Sequence, residues 1–501
     1  MPTKTEVERK YEVPVDFAVP DLTGLRGVTV VDEPVEHRLD AIYYDTPGLR
    51  LAAHGVTLRR RSGGHDAGWH LKRPVRNGDR TETQVPLDGH AGEIPPAVLD
   101  EVRALSRGEP LAPVARVRTR RLERPLRAAD GTVFALLADD VVSSETMGEQ
   151  ALVQQWRELE VELVDGPRRV LDAVDEVLRA AGARPARVAS KLARALADRY
   201  PDGRRRSGND QVLNAYLGKQ RDAIVSNDPG VRRGDPDAVH AMRVATRRLR
   251  GTLRTFRPLL DADRAEPLRE ELKWLGQVLG EVRDGDVMAV RLDRAVRAEP
   301  VELVVGPVVA HIHGRLASRT AEARVRLIEA LDSPRYAALL NALDDVVAAE
   351  PRVPATGKRL RRFARKALRR ADERLDRAVG GGRNDAAGDG RNDAHLHDAR
   401  KAYKRARYAA EAIAPLAGKP ARRLTKRLTA LQDVLGAHQD TITTGELLRE
   451  YGMRAHLDGA NAFTYGLLHA RQHDADLRRL ERLCEVRRRA GEPKVRRWLK
   501  A

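Results

Sequence analysis

Glu158, Glu160 and Glu162 alternate with Leu159, Val161 and Leu163. Side chains of a strand point to opposite faces with a period of two. The apolar set must face a core, so the three carboxylates share the other face. The alternation recurs through residues 1–200. Glu6, Glu8 and Lys10 form one face against Val7 and Arg9; Arg59 alternates with Arg61, Arg80 with Glu82, and Arg118 with Arg120. On a single strand, a solvated charged face explains such a pattern. Here glutamates gather on the first and last strands, and lysines and arginines on several middle ones. A sheet curled until these faces converge encloses a charged lumen. Its carboxylates suit Mg²⁺ or Mn²⁺, hard cations that take oxygen ligands. Its guanidinium and ammonium groups suit phosphate oxygens. That layout fits phosphoryl transfer, which depends on positioning and charge neutralisation.

Charge divides the 501-residue chain. Residues 1–200 are net −2 and residues 201–501 are net +20. An excess confined to one part points to a polyanion-binding module joined to something with a different task. Short β-type stretches separated by turn residues at Ser62–Gly68, Asp130–Gly131 and Asp165–Gly166 predict a mostly β domain over 1–200, with a helix over 168–181. Residues 201–209, which begin PDGRRRSG, read as a linker. From 210 onward the pattern is helical, rich in Ala, Leu, Arg and Glu. GRNDA is written twice within 380–394, a low-complexity stretch expected to form a flexible loop. No apolar run is long enough for a membrane span, and the charged N-terminus lacks a signal-peptide core. The single cysteine, Cys484, excludes an internal disulfide framework. These features predict a cytoplasmic protein.

The helical part repeats itself. His240, Arg243, Arg247, Arg250 and Arg254 follow spacings of 3, 4, 3 and 4, one stripe along a helix face. His397, Arg400, Lys404 and Arg407 repeat it at an offset of 157, with Lys401 beside them. Val278-Leu279-Gly280 and Asp284 return as Val434-Leu435-Gly436 and Asp440 at an offset of 156. His438 matches Val282 and has no duplicate. Two motifs at nearly one offset argue for a duplicated helical unit, with bundles expected over 210–379 and 395–501. Stacked like charges weaken a helix by a few tenths of a kcal/mol per pair. A long polyanion lying along each stripe gives a reason for them.

TEVERKYEV carries the ExExK signature of CYTH domains, the triphosphate tunnel metalloenzymes. Tyr43-Tyr44-Asp45-Thr46, Leu58-Arg59-Arg60-Arg61, His70-Leu71-Lys72, Arg80-Thr81-Glu82, Ala138-Asp139-Asp140, Glu158 to Glu162 and Ser190-Lys191-Leu192 follow in order. The resemblance covers about residues 3–200. The resemblance implies an α+β domain built on an eight-stranded antiparallel β tunnel that acts on triphosphates. Glu6, Glu8, Glu160 and Glu162 then look like metal ligands, with Asp139 or Asp140 contributing, for Mg²⁺ or Mn²⁺. Lys10, Arg59, Arg61, Lys72, Arg80, Arg118 and Lys191 look like triphosphate ligands. Catalysis would fall to Glu6, Glu8, Lys10, Lys72, Glu160 and Lys191. Arg118, Arg120 and Arg121 compete for one role, and Glu158 competes with its two neighbours.

VHAMRVATRRLR, LGEVRDGDV, LHDARKAYKRARY and LGAHQD resemble the CHAD domain, the conserved histidine α-helical domain. That likeness implies two all-α four-helix bundles over 210–501 with a basic surface for inorganic polyphosphate, carried by the two stripes with His438. The pair of resemblances implies an inorganic triphosphatase tethered to polyphosphate, associated with polyphosphate granules. The competing reading is a non-catalytic polyphosphate scaffold with a sensing tunnel. Nucleic acid is the weaker polyanion candidate, because the 11 aromatic residues of 201–501 are not interleaved with the stripes.

Overall fold

The first strand of the chain closes its own sheet. Eleven strands are present among the described residues: β1 (Thr3–Glu6), β2 (Glu8–Val13), β3 (Val30–Val31), β4 (Val35–Asp45), β5 (Thr57–Ser62), β6 (Gly68–Pro74), β7 (Arg80–Pro86), β8 (Ala112–Arg127), β9 (Val133–Thr146), β10 (Val153–Leu163) and β11 (Arg184–Pro185). They pair in the order β1-β7-β6-β5-β4-β8-β9-β10-β2-β11, with β3 on β8, and the ladders are antiparallel. β1 and β2 are one stretch of chain interrupted only at Val7. One half pairs with β7 and the other with β10. Even at the break, the Leu163 amide donates to the Val7 carbonyl at 2.9 Å. The sheet is therefore a closed ring of eight principal strands, with β3 and β11 as two-residue additions. Closure removes the exposed edges.

This description rests on a computed structural model. It covers residues 3–25, 27–74, 79–87, 92–148, 151–201, 212–381 and 390–500. Most of the expected linker lies outside them. The chain divides into two compact units, Met1–Arg205 and Arg206–Ala501.

In the first unit, part of the outer face of β2, β8, β9 and β10 is apolar. Tyr11, Leu126, Leu137, Leu159 and Val161 pack beneath Val170, Leu171, Val174 and Leu178 of the helix Arg169–Ala180. A second cluster joins Leu192, Ala195 and Leu196 of the helix Lys191–Leu196 to Tyr43, Val117 and Trp156. Ser190 caps that helix, accepting from the Ala193 amide at 3.1 Å, and so fixes Lys191 at its first position. The β5–β6 turn needs glycine. Gly63 has φ +79°, and a Cβ there would lie 2.1 Å from the Arg38 carbonyl oxygen.

The second unit is all-α. Four helices, Val212–Arg232, Pro236–Thr255, Ala262–Arg297 and Val308–Asp332, are followed by a further helix, Pro334–Ala348. The pattern returns as Gly357–Gly381, Gly390–Ala412, Lys419–Leu457 and Phe463–Leu480. The two stripe-bearing helices, Pro236–Thr255 and Gly390–Ala412, pack on each other. A Cβ on Gly251 would lie 2.9 Å from a Tyr408 ring carbon, so glycine permits this approach. The expected flexible loop over 380–394 is corrected at both edges. Helix runs through residue 381 and resumes at 390, because this Ala-, Asp- and Arg-containing stretch tolerates helix; its middle, 382–389, lies outside the described residues. No helix among the described residues is long and apolar enough to cross a membrane.

Asp45 ties the end of β4 to the next turn. Its buried carboxylate accepts from the amides of Thr46, Leu51 and Ala52 at 2.7, 2.9 and 2.9 Å. Replacing it leaves buried donors unpaired, at about 1–3 kcal/mol each before relaxation. Asp45→Ala is expected to destabilise the first unit by about 3 kcal/mol in urea unfolding followed by tryptophan fluorescence. Asp45→Asn, which keeps one acceptor oxygen, loses less.

Candidate active site and cationic stripes

The closed ring encloses a cavity of about 350 Å³. Period-two geometry brings Glu6, Glu8, Lys10, Arg59, Arg61, Lys72, Arg80, Glu160 and Glu162 to its wall, and the helix Lys191–Leu196 adds Lys191. Two charge networks line it. In the first, Glu160 is the hub. Its Oε1 faces Lys10 Nζ and Lys191 Nζ, the latter at 2.7 Å, and its Oε2 accepts from Arg121 at 2.6 Å. Arg121 also grips Asp140 through two bonds of 2.8 and 2.7 Å. Lys191 Nζ lies 2.9 Å from Asp140, 2.7 Å from Glu158 and 2.7 Å from Glu160. In the second network, Lys72 Nζ reaches both oxygens of Glu6 at 2.8 and 2.7 Å, and Glu82 at 3.6 Å. His70, fully buried, holds Glu82 from behind at 2.9 Å.

Burial penalises every one of these charges, and neighbours decide the outcome. Burial pushes Glu160 and Asp140 up, but Lys191 and Arg121, joined at Glu160 by Lys10, outweigh it and hold both carboxyls below their ordinary range. Glu8 is likewise held low, chiefly by Lys10 against its own burial. Glu6 goes the other way: burial pushes it up to about 7, against the pull of Lys72. Arg61 is pushed down to about 9 by burial and by the neighbouring Arg59 and Arg121 charges. Arg61 is nevertheless paired with Asp66, and Arg59 lies 3.8 Å from Glu82, so the arginine side of the lumen has its own counter-charges.

Two expected residues stay outside. Asp139 points to the outer face and forms a two-bond pair with Arg157 at 2.9 and 2.8 Å. Its neighbour Asp140 takes the inner position, directly across from Glu158 in the β9–β10 ladder. Arg118 is also turned outward, 3.9 Å from Asp40, and Arg120 binds Glu36 at 3.1 Å. Arg121 alone of the three arginines enters the lumen. Glu82 and Lys4, which also line the cavity, were not singled out as site residues. Their signal was present, since each shares the strand phase of a chosen neighbour, Arg80 and Glu6.

Asp140, Glu158 and Glu160 offer one oxygen each, all within 4.8 Å of one another. Hard oxygen donors at this spacing fit a divalent cation such as Mg²⁺ or Mn²⁺. The ammonium of Lys191 sits among the same three oxygens, so the cluster is built around positive charge.

In the helical unit the two stripes face each other. Arg243, Arg247, Arg400 and Lys404 act on one another electrostatically, and Lys404 is pushed down to about 7 by burial and these three arginines. Their acidic neighbours are few: Asp284 lies 3.0 Å from Arg243 and Asp440 3.7 Å from Arg400. His240 and His397 head the stripes, and burial lowers both. Lys401 stands exposed on the flank, 3.8 Å from Asp398. His438 is not brought to the stripes. It is buried between helices, with Nδ1 2.6 Å from Asp476 and Nε2 3.2 Å from Asp393.

Residues 4–195 match the CYTH domain model and residues 215–449 the CHAD domain model. A protein of Mycobacterium tuberculosis strain H37Rv, the uncharacterised protein Rv2226, is 36% identical over 495 residues, covering 94% of this chain and 93% of its own. Among solved structures, PptA from Streptomyces chartreusis is similar at 24% identity and a TM-score of 0.47, over 56% of this chain and 100% of that one. HpAC1 from Hippeastrum, for which a dominant triphosphatase activity is described, is similar at 17% identity and a TM-score of 0.25, over 40% and 100%.

The lumen charges set a pH signature for stability without metal. Glu8, Asp140 and Glu160 are held low, so their stabilisation is present above about pH 4.5 and lost on acidification. Glu6 is raised from 4.5 to about 7, so its contribution is complete below 4.5 and lost as pH rises through 7. The melting temperature of the first unit in EDTA should peak near pH 5 and decline toward neutrality, by up to about 3 kcal/mol of stability. Glu6→Gln should flatten the neutral limb and spare the acid limb. A calorimetric profile parallel to wild type would contradict this account.

Proposed function

Because the chain belongs to the CYTH–CHAD family, which joins a triphosphate tunnel metalloenzyme domain to a helical CHAD domain, we propose that it hydrolyses inorganic triphosphate in the β lumen and binds long inorganic polyphosphate on the paired stripes. One observation carries the enzymatic half. A closed lumen sets carboxylate clusters beside an arginine cluster whose own acids are Asp66 on Arg61 and Glu82, 3.8 Å from Arg59, with Arg61 pushed down to about 9. A triphosphate can take the place of these carboxylates at several points along its length.

In this reading Arg59, Arg61, Arg80 and Lys72 bind and orient the phosphate chain. Lys10, Arg121 and Lys191 neutralise charge that builds on the leaving diphosphate. Water attacks the terminal phosphorus, the bridging P–O bond breaks, and phosphate and diphosphate result. Glu160 and Glu162 orient that water. A divalent cation held by Asp140, Glu158 and Glu160, with Glu6 and Glu8 nearby, would supply polarisation of phosphoryl oxygens. Tyr43 and Val117 at the cavity wall limit bulk solvent there.

The polyphosphate half rests on the unneutralised stripes and the +20 charge of residues 201–501. A second reading, a non-catalytic polyphosphate scaffold, draws on the extent to which Glu6, Glu82, Asp140 and Glu160 are already engaged by lysine and arginine.

The deciding assay is phosphate release from tripolyphosphate by the full chain with Mg²⁺ or Mn²⁺, and with EDTA as control. Metal-dependent release stopped by EDTA supports the enzyme; no release by folded protein moves the weight to the scaffold. Glu160→Gln and Arg61→Gln should each lower kcat/KM by about 100-fold or more. Asp139→Asn and Arg118→Gln, on the outer face, should change it less than about threefold. Equal losses at Asp139 and Glu160 would refute the assignment of faces. For the stripes, replacing both Arg243 and Arg247 with Gln should weaken polyphosphate binding and reduce the salt slope by about 2. Duplex DNA at equal phosphate concentration should compete poorly.

A further inference from the structure

The two halves of the helical unit share a fold, yet one duplicated position has opposite charge in the two copies. Glu411, on the helix Gly390–Ala412, is a hub. It accepts from Arg248 Nε at 3.0 Å and from the Tyr216 hydroxyl at 3.3 Å, and lies 3.2 Å from Arg407 Nη1. The offset of 157 maps Glu411 onto Arg254, Arg248 onto Arg405 and Arg407 onto Arg250. Where the first set has a carboxylate between two guanidiniums, the second has a third guanidinium. The local charge rises from one positive unit to three.

The second set opens onto a pocket of about 480 Å³. Arg254 and Arg405 line it, with Lys366, Arg370 and Arg374 from the helix Gly357–Gly381. Those three cations recur every four residues, in one column on one helix face. No carboxylate is among the described residues that line the pocket. Arg257 and Arg269 at its rim are paired with Glu266, at 2.7 and 3.1 Å. Burial, then Arg254, Arg374 and Arg370, push Arg405 down to about 10. A solvated basic surface has no need of such crowding, and the paired copy shows how this fold neutralises the same position when it is not used.

Arg250 and Arg254 end the first stripe, so the pocket begins where that stripe stops. We infer that the pocket is a second phosphate subsite, into which a polyphosphate chain held on the stripes continues past Arg254 toward Arg370, Arg374 and Arg405. The inference rests on the polyphosphate reading of the stripes. It also makes binding one-sided. The equivalent exit in the other half is blocked by Glu411, whose carboxylate repels phosphate.

The test uses the full chain and fluorescently end-labelled long-chain polyphosphate, with affinity measured by anisotropy across a salt series. Arg254→Glu recreates the arrangement at Glu411. It should pair with Arg405 and Arg250, keep or raise the melting temperature, weaken binding about tenfold or more, and reduce the salt slope by about 2. Arg370→Gln with Arg374→Gln should weaken binding in the same direction without adding negative charge. Arg243→Gln with Arg247→Gln serves as the stripe control. If the stripe control weakens binding while both pocket variants bind like wild type, the subsite is refuted and the stripe reading stands. If wild type shows no salt-dependent binding to the probe, the polyphosphate reading falls and the subsite with it.

Discussion

Closing a sheet forces alternate residues of eight strands into one enclosed volume, and charges placed there must be compensated. Moving an isolated ion into a low-dielectric interior costs several kcal/mol even after relaxation. The lumen meets this by sharing. Glu160 serves Lys10, Lys191 and Arg121 at once, and Lys191 serves Asp140, Glu158 and Glu160. The ring depends on these pairings because β10, β2, β8 and β9 each contribute a member. Truncating one partner leaves another buried and unpaired, so conservative replacements report on chemistry more cleanly than alanine does.

The helical unit handles charge in the opposite way. Its stripes leave arginines crowded together with few acids among them, and Lys404 near neutrality is the result. In the lumen, cation and carboxylate are matched, and binding means exchange of partners. On the stripes, cations are left in excess, and binding means supply of a missing counter-charge. The first arrangement favours a small, highly charged guest that enters together with a cation. The second favours a long polyanion and a strong salt dependence.

How legible was this in the sequence? The phase of Glu6, Glu8, Lys10, Glu160 and Glu162 was readable, because apolar neighbours such as Leu159 and Val161 fix which face is inward. The duplication was readable because two motifs recur at one offset. The phase of Arg118, Arg120 and Arg121 was not, since β8 carries charge on both faces; pairing with β9 across from Asp140 selects Arg121. Asp139 and Asp140 are adjacent, and only the register against Glu158 separates inner from outer. His438 lies in a motif that suggested ligand contact, but its partner Asp476 is 38 residues away on another helix. Spacing along one helix cannot reveal such a pair. Glu82 was visible in phase with Arg80, and its role emerges only when His70 and Lys72 are seen to converge on it.

Charge matching in the lumen also bears on substrate choice. A guest that displaces Lys72 from Glu6, or Lys191 from Glu158, must replace a short ion pair with one at least as good. A single phosphate reaches too few cations to offset the pairs it breaks. A triphosphate spans several positions and can engage Arg59, Arg61 and Lys72 together, while the carboxylates it releases become available to a divalent cation. Anion and metal then favour each other's entry, since each takes up the charge that the other leaves uncompensated. In the proposed triphosphatase, selectivity for the pair over either alone would follow from the closed ring that placed the charges together.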